Sequence, residues 1–89
     1  MKSPYLEVTF RHGRPLAAYL YLPRASGERS DYVEQAGSGL LVDFTVDGKP
    51  IGVEMTAPGH VSLAELNQVL AALNASAVTE EDVAPLLAA

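Results

Sequence analysis

The N-terminal third of the sequence contains two segments in which apolar and polar residues alternate, as in half-buried β-strands. Residues 5–10 read Tyr-Leu-Glu-Val-Thr-Phe, and residues 16–22 read Leu-Ala-Ala-Tyr-Leu-Tyr-Leu. Between them, residues 12–15 (His-Gly-Arg-Pro) contain the glycine and proline typical of a turn. We therefore predict a first hairpin whose core-facing residues are Leu6, Val8, Phe10, Leu16, Ala18, Leu20 and Leu22.

A second alternating stretch, residues 40–55, predicts another hairpin around Asp47-Gly48. Its predicted core-facing residues are Leu40, Val42, Phe44, Val46, Ile51, Val53 and Met55. Only a loop of even length puts them all on one face, because a slip of one residue turns every side chain over. A two-residue loop pairs Val42 with Val53, and a four-residue loop pairs Phe44 with Val53. Asp-Gly favours the two-residue loop, in which both central residues have positive φ.

The segment between the two hairpins is polar. Residues 23–31 combine proline, glycine, serine and four charged residues, which predicts a long loop. Tyr32-Val33-Glu34 is a candidate for a short edge strand, and Gly37-Ser38-Gly39 is a candidate turn.

After residues 57–60 the apolar period changes from that of a strand to that of a helix. Ser62 and Glu65 form the sequence signature of a capping box. Leucines then recur at helical spacing up to Asn74, which predicts a helix over residues 62–74. A short helix is predicted over residues 79–88. It begins at Thr79, has acidic residues in its first turn, and packs through Val83, Leu86 and Leu87.

Strands followed by helices predict an α+β fold in a single domain, residues 1–89. We expect a small antiparallel β-meander of about four to five strands in two hairpins over residues 5–57. One long and one short C-terminal helix follow it.

Composition adds a reason to expect self-association. A chain of 89 residues buries a modest fraction of its surface, and small domains need additional support. The absence of cysteine excludes disulfides and thiolate zinc sites, and two isolated histidines disfavour an imidazole metal site. Oligomerisation remains, and a homodimer is the favoured form.

Charge is distributed unevenly along the chain. Residues 1–30 hold five basic and two acidic residues, net +3, whereas residues 31–89 hold one basic and nine acidic residues, net −8. This polarity suits self-association or a basic protein partner, and it disfavours nucleic acid as the main ligand. The alternative is a solvated surface with uneven charge.

We expect a cytoplasmic protein. No stretch approaches the roughly 18 apolar residues of a membrane span. Residues 1–4 lead into alternating residues rather than into the apolar run of a secretory signal. The absence of cysteine fits a reducing compartment.

Three carboxylates in the second hairpin raise the alternative of a small-ligand or divalent-metal site. Asp47 is what the turn itself requires, so the candidates are Asp43 and Glu54, with His60 as a further polar group. A four-residue loop would oppose Asp43 and Glu54 directly, whereas a two-residue loop sets them diagonally. We favour the interpretation that these acids are the solvated face of a hairpin.

No motif predicts catalysis. None of the serines lies in a nucleophile elbow, and no phosphate-binding loop or dinucleotide fingerprint is present in the sequence. We therefore predict that the protein is not an enzyme and needs no cofactor.

The most informative feature is a row of tyrosines on the second face of the first hairpin. Tyr5, Tyr19 and Tyr21 point away from Leu6 and Leu20, and Leu41 is a candidate member of the same surface. Since tyrosine is enriched in interface cores, we predict an interaction surface here. The alternative is that the C-terminal segment or the long loop covers these rings.

Residues 18–22 and residues 42–55 (Val-Asp-Phe-Thr-Val-Asp-Gly-Lys-Pro-Ile-Gly-Val-Glu-Met) resemble a family of small bacterial and archaeal proteins, domain of unknown function 2283. The similarity covers about residues 5–57. The chain departs from the pattern at Pro15-Leu16-Ala17, where many relatives carry Glu-Ala-Asp. The resemblance implies the strands-then-helix fold and no established activity. It also suggests an antitoxin-like role, as the partner of a small toxin protein.

Overall fold

The computed structural model describes residues 4–37 and 39–87, and for Leu87 the backbone alone. The predicted α+β fold is confirmed: a five-stranded antiparallel sheet precedes the helices. The strands are β1 (Tyr5–Arg11), β2 (Arg14–Tyr21), β3 (Tyr32–Gly37), β4 (Leu40–Phe44) and β5 (Pro50–Met55). A 3₁₀ turn (Pro58–His60) leads to α1 (Leu63–Ala72) and α2 (Ala84–Leu87). Ser38, in the predicted glycine turn, and residue 88 of the predicted second helix lie outside the described residues.

The spatial order of the strands is β1-β2-β5-β4-β3. Strands β3, β4 and β5 form a meander, and the β1–β2 hairpin joins it through pairing of β2 with β5. In this pairing Leu20 lies opposite Val53, and Tyr19 lies opposite Glu54. The last strand in the sequence is therefore the middle strand of the sheet.

The first hairpin turns through His12 and Gly13, which have φ values of 53° and 77°. Two positive φ values in a two-residue loop are the requirement of a type I′ turn. A bulge follows, since Thr9 pairs with Ala17 but Phe10 pairs with Pro15, which leaves Leu16 without an opposite residue. Leu16 and Phe10, which were expected in the core, are not buried: they are 53% and 48% exposed, near the tip of the hairpin.

The second hairpin has a loop of odd length, which corrects the prediction. The Thr45 N–H donates to the Lys49 carbonyl (2.9 Å), and the Gly48 N–H donates to the Thr45 carbonyl (2.9 Å). The three intervening residues form the loop, and of Asp47 and Gly48 only the glycine has positive φ, 85°. Val46, which was expected in the core, lies in this loop and is 75% exposed.

A bulge in β5 restores the register that the odd loop would shift. Phe44 pairs with Pro50, whereas Asp43 pairs with Gly52, so Ile51 is the extra residue. Beyond the bulge Val42 lies opposite Val53, the pairing predicted for a two-residue loop. Ile51 is still fully buried.

Helix α1 begins where its sequence signature predicts. The Ser62 hydroxyl accepts from the Glu65 N–H (3.1 Å), and the Glu65 carboxylate accepts from the Ser62 N–H (3.4 Å), which completes the capping box. The helix ends at Ala72 rather than residue 74, and Asn74 follows with φ of 59°, a left-handed conformation that asparagine tolerates after a helix.

Helix α2 begins at Ala84, later than predicted. Thr79 caps a turn, as expected. The Asp82 N–H donates to the Thr79 hydroxyl (3.2 Å), and the Thr79 N–H donates to the Asp82 carboxylate (2.8 Å). The turn does not continue as one α-helix with α2, since Pro85 has no N–H to donate to the Glu81 carbonyl. Ala84 donates to that carbonyl instead.

The core lies between one face of the sheet and the C-terminal elements. Leu66 and Leu70 of α1 are buried, and the C-terminal segment adds Val78, Val83 and Leu86. These residues pack on Ala18, Leu20, Leu40, Val42, Val53 and Met55 of the sheet. None of the helices in the described part of the chain has the length and apolar character needed to cross a membrane.

Candidate functional site

The opposite face of the sheet, here called the open face, is not packed against the helices. Strand alternation and pairing place on it Tyr5, Glu7, Thr9, Tyr19, Tyr21, Leu41, Asp43, Gly52 and Glu54. All four residues of the predicted interface and both of the predicted acids are among them. Their placement follows from the structure, and their role as an interface stays a prediction.

The three tyrosines of the open face form a contiguous row of rings. Tyr5 pairs with Tyr21 across β1 and β2, and their rings stack with centroids 5.0 Å apart. Tyr19 meets Tyr21 edge to face, with centroids 4.7 Å apart. Tyr5 is 52% exposed and the other two rings are half-buried. The row is therefore ordered by its own contacts and still accessible.

Tyr19 lies across the middle strand of the sheet. Its hydroxyl, on β2, donates to the Asp43 carboxylate on β4 at 2.5 Å, and Gly52 of β5 lies between them. A Cβ atom at Gly52 would overlap the hydroxyl and the adjoining carbon of the Tyr19 ring. The glycine therefore makes room for the ring, and the ring covers the glycine, which is buried although it lies on the open face.

The contact between Tyr19 and Asp43 was not predicted from the sequence. The available signal was the glycine at residue 52 inside an otherwise alternating strand, since such a glycine marks the close approach of another group. Which group approaches depends on the pairing of β2 with β5, and the strand pattern did not specify that pairing.

The environment of Tyr19 stabilises its neutral form. Burial, together with the hydrogen bond to Asp43 and the charge of that carboxylate, raises the pKa of Tyr19 from 10.0 to about 12, and Arg24 opposes the shift. A tyrosine that donates to a carboxylate in this way stays protonated and serves as a fixed element of the surface.

Arg24 brings part of the long loop onto the open face. Its guanidinium donates to the Ile51 carbonyl at 2.5 Å and lies 5.4 Å from the centre of the Tyr21 ring, within the range of a cation–π contact. The alternative in which the long loop covers the tyrosines is thus realised in part, through Arg24, which lies against Tyr21 and also acts on Tyr19. The C-terminal segment packs in the core on the other side of the sheet.

The residues of the alternative metal site are not brought together. Asp43 lies opposite Gly52 and Glu54 lies opposite Leu41, so the two acids are diagonal neighbours. His60 is an exposed residue of the 3₁₀ turn. Within residues 4–37 and 39–87 there is no group of three histidine, cysteine or acidic side chains that could hold a metal ion.

An apolar cleft of about 380 Å³ lies at one end of the domain, between Leu22, Pro50 and Leu73. Its one titratable lining residue is Lys49, whose ammonium group pairs with Glu28 at 2.6 Å. The hydrogen bond from Lys49, supported by a second from the Ala25 N–H, lowers the pKa of Glu28. The cleft is therefore lined mainly by apolar side chains, and its polar lining residues are Asn74, Ser76 and Lys49, whose charge is paired.

Comparison of the chain with models of protein families, with curated proteins and with solved structures found no match. The resemblance to domain of unknown function 2283 therefore stays a prediction that rests on the residues quoted for it.

The raised pKa of Tyr19 predicts a loss of stability at alkaline pH. Because the folded pKa lies above the unfolded value of 10.0, the contribution of Tyr19 is complete below pH 10.0 and is lost as the pH rises through about 12. Asp43→Asn removes the carboxylate that favours the neutral phenol. We expect the absorbance titration of the tyrosines to show a group that ionises near pH 12 in the wild type, and its shift to lower pH in Asp43→Asn. Identical titrations would contradict this assignment.

Proposed function

We propose that this chain is a non-enzymatic, self-associating protein-interaction domain whose contact surface is the open face of the sheet. One observation carries the proposal: the open face presents an ordered, accessible row of three tyrosines where a two-layer domain would usually be polar. Cytoplasmic location and the absence of enzymatic activity are predictions from the sequence that accompany this proposal.

The order of the row favours binding. Tyr21 is fixed by ring contacts on both sides, with Tyr5 and with Tyr19, and Tyr19 is held by its bond to Asp43. Side chains that are already ordered lose little rotamer entropy when a partner covers them. Tyrosine also offers a large apolar area with a hydroxyl at its end, which suits a surface that is solvated in one state and buried in another.

A basic protein partner is the second candidate, and the position of Arg24 favours it. Arg24 shows that a guanidinium fits over Tyr21 on a face that also carries Glu7, Asp43 and Glu54. An arginine-bearing segment of another protein could use the same combination of ring and carboxylate. This candidate agrees with the antitoxin-like role that the family resemblance suggests.

Removal of a ring from the row tests the proposal. We expect sedimentation equilibrium to show concentration-dependent association of the wild type, weakened about tenfold in Tyr21→Ser, because interface tyrosines commonly contribute more than 1 kcal/mol. Tyr32→Ser is the matched control. Tyr32 is 39% exposed and stacks on Phe44, which packs against the core rather than on the open face. A wild type that stays monomeric, or equal losses in both variants, would contradict the proposal.

A further inference from the structure

Basic and acidic residues on the open face are separated along the strand direction. Arg11 and Arg14 pair with each other next to the tip of the first hairpin, and Arg11 follows Glu7 and Thr9 in the alternation of β1. Glu7 lies opposite Tyr19, and Tyr19 lies opposite Glu54, so these three residues form one row across the sheet. One row of the face is thus acidic, and a second row nearer the tip is basic.

Small residues separate the two rows. Thr9 lies opposite Ala17, midway between the acidic row and the arginines. A shallow cavity of about 140 Å³ opens here, between Glu7, Thr9, Ala17, Tyr19 and Glu54. The surface is therefore lowest at the midpoint of the charge pattern, where another surface can approach closely.

We propose that two copies of the chain pack open face to open face with their strands antiparallel, around a two-fold axis at the Thr9–Ala17 pair. This inference rests on the proposed function and specifies its partner. The axis places Arg11 of each copy over Glu7 of the other, and Arg14 over Tyr19 beside Glu54, because both rows lie two residues, about 7 Å, from the axis. Tyr5 and Tyr21, two residues farther out, then lie beside the hairpin tip of the other copy. The arginines then meet carboxylates beside an aromatic ring, as Arg24 meets Tyr21 within one chain.

Charge repulsion disfavours the other way of joining the same faces. If the strands of the two copies ran parallel and in register, the acidic row of one copy would lie over the acidic row of the other, and the basic row over the basic row. Like charges in contact destabilise an interface and suppress that arrangement. In the two-fold antiparallel arrangement, the basic row of each copy lies over the acidic row of the other. Both copies use the same contacts, as in most homodimers.

The size of the contact predicts a weak dimer. The axis lies beyond the end of β5, whose last residue Met55 pairs with Ala18, so only the β1–β2 hairpins of the two copies overlap. Two strands spaced about 4.8 Å apart and roughly six residues long bury on the order of 200 Å² per copy. This is below the roughly 800 Å² per partner of stable complexes, so association should depend on concentration and, through the ion pairs, on salt.

Charge exchange between two variants tests the arrangement. The tip variant carries Arg11→Glu and Arg14→Glu, and the row variant carries Glu7→Lys and Glu54→Lys. Each variant alone would bring like charges together at both ends of the dimer, whereas a mixture would pair an acidic tip with a basic row and a basic tip with an acidic row. Within each monomer the tip substitutions replace one pair of like charges by another, so its fold should change little.

We expect sedimentation equilibrium to show about tenfold weaker self-association of each variant, and an equimolar mixture that associates about as tightly as the wild type. Since Glu54 is half-buried, the single substitutions Arg11→Glu and Glu7→Lys provide the same test if the double row variant does not fold. Variants that self-associate like the wild type, or a mixture that is no tighter than its components, would overturn the antiparallel arrangement. Loss of association in Tyr21→Ser would still support the proposed function in that case, whereas a monomeric wild type would contradict both.

Discussion

Leu20→Ala is expected to lower the free energy of unfolding by about 3 kcal/mol. Leu20 is 1% exposed and lies in β2 opposite Leu6 on one side and Val53 on the other. Truncation removes apolar contacts and leaves a cavity that rigid neighbouring strands fill only in part. Since domains of this kind are stable by about 5–15 kcal/mol, the loss is a large fraction of the total. Urea unfolding followed by circular dichroism measures it.

Leu16→Ala is the matched control on the same strand. Both leucines fall on the core-facing side by simple alternation, but the bulge at Leu16 and its position near the hairpin tip leave it 53% exposed. We expect the control to change the free energy of unfolding by less than about 0.5 kcal/mol. Similar losses at the two positions would show that Leu16 is in the core and that the bulge is wrongly placed.

Gly52→Ala is expected to lower the free energy of unfolding by about 2 kcal/mol, although replacing a glycine by alanine within a strand usually stabilises a protein. The added methyl group would occupy the space of the Tyr19 hydroxyl. The Tyr19 ring must therefore move away from residue 52 and lose its hydrogen bond to Asp43. Hydrogen bonds to a charged group are worth about 1.5–3 kcal/mol, which sets the size of the effect. The same urea unfolding measurement applies.

A double-mutant cycle separates this explanation from a general intolerance of side chains in β5. In a Tyr19→Ala background the ring is absent, so Gly52→Ala should cost nothing or stabilise slightly. Gly59→Ala is a second control, because a Cβ there meets no atom within 4 Å. If Gly52→Ala lowers the free energy of unfolding by the same amount with and without the Tyr19 ring, the ring is not the reason that residue 52 must be glycine.

The elements that sequence analysis predicted correctly depend on local signals. The capping box at Ser62 and Glu65 formed as the spacing indicates, and Asn74 follows the helix end. The second hairpin shows the limit of such signals. Alternation requires only that Val42 and Val53 share a face, and this requirement is met by an odd loop followed by a bulge at Ile51 as well as by an even loop.

The candidate surface was predicted in part. Alternation within single strands was enough to place Tyr5, Tyr19 and Tyr21 on one face. The contact of Tyr19 with Asp43 was not predictable, because it depends on which strands of the two hairpins become neighbours.

The basic row was missed for a different reason. Without the bulge at Leu16, alternation along β2 puts Arg14 on the core side with Ala18 and Leu20. The extra residue reverses the faces, so that Arg14 pairs with Arg11 on the open face. One irregularity thus decides whether the charges of the first hairpin belong to the surface.

Intermolecular nuclear Overhauser effects test the central claim most directly, that the open face is where two copies meet. They would be recorded on a mixture of isotope-labelled and unlabelled protein at a concentration where association is measurable. We expect contacts between the methyl groups of Thr9 and Ala17 of the two copies, and between the Tyr19 ring of one copy and the Arg14 side chain of the other. Intermolecular contacts confined to α1 or the C-terminal segment, with none from the open face, would contradict it.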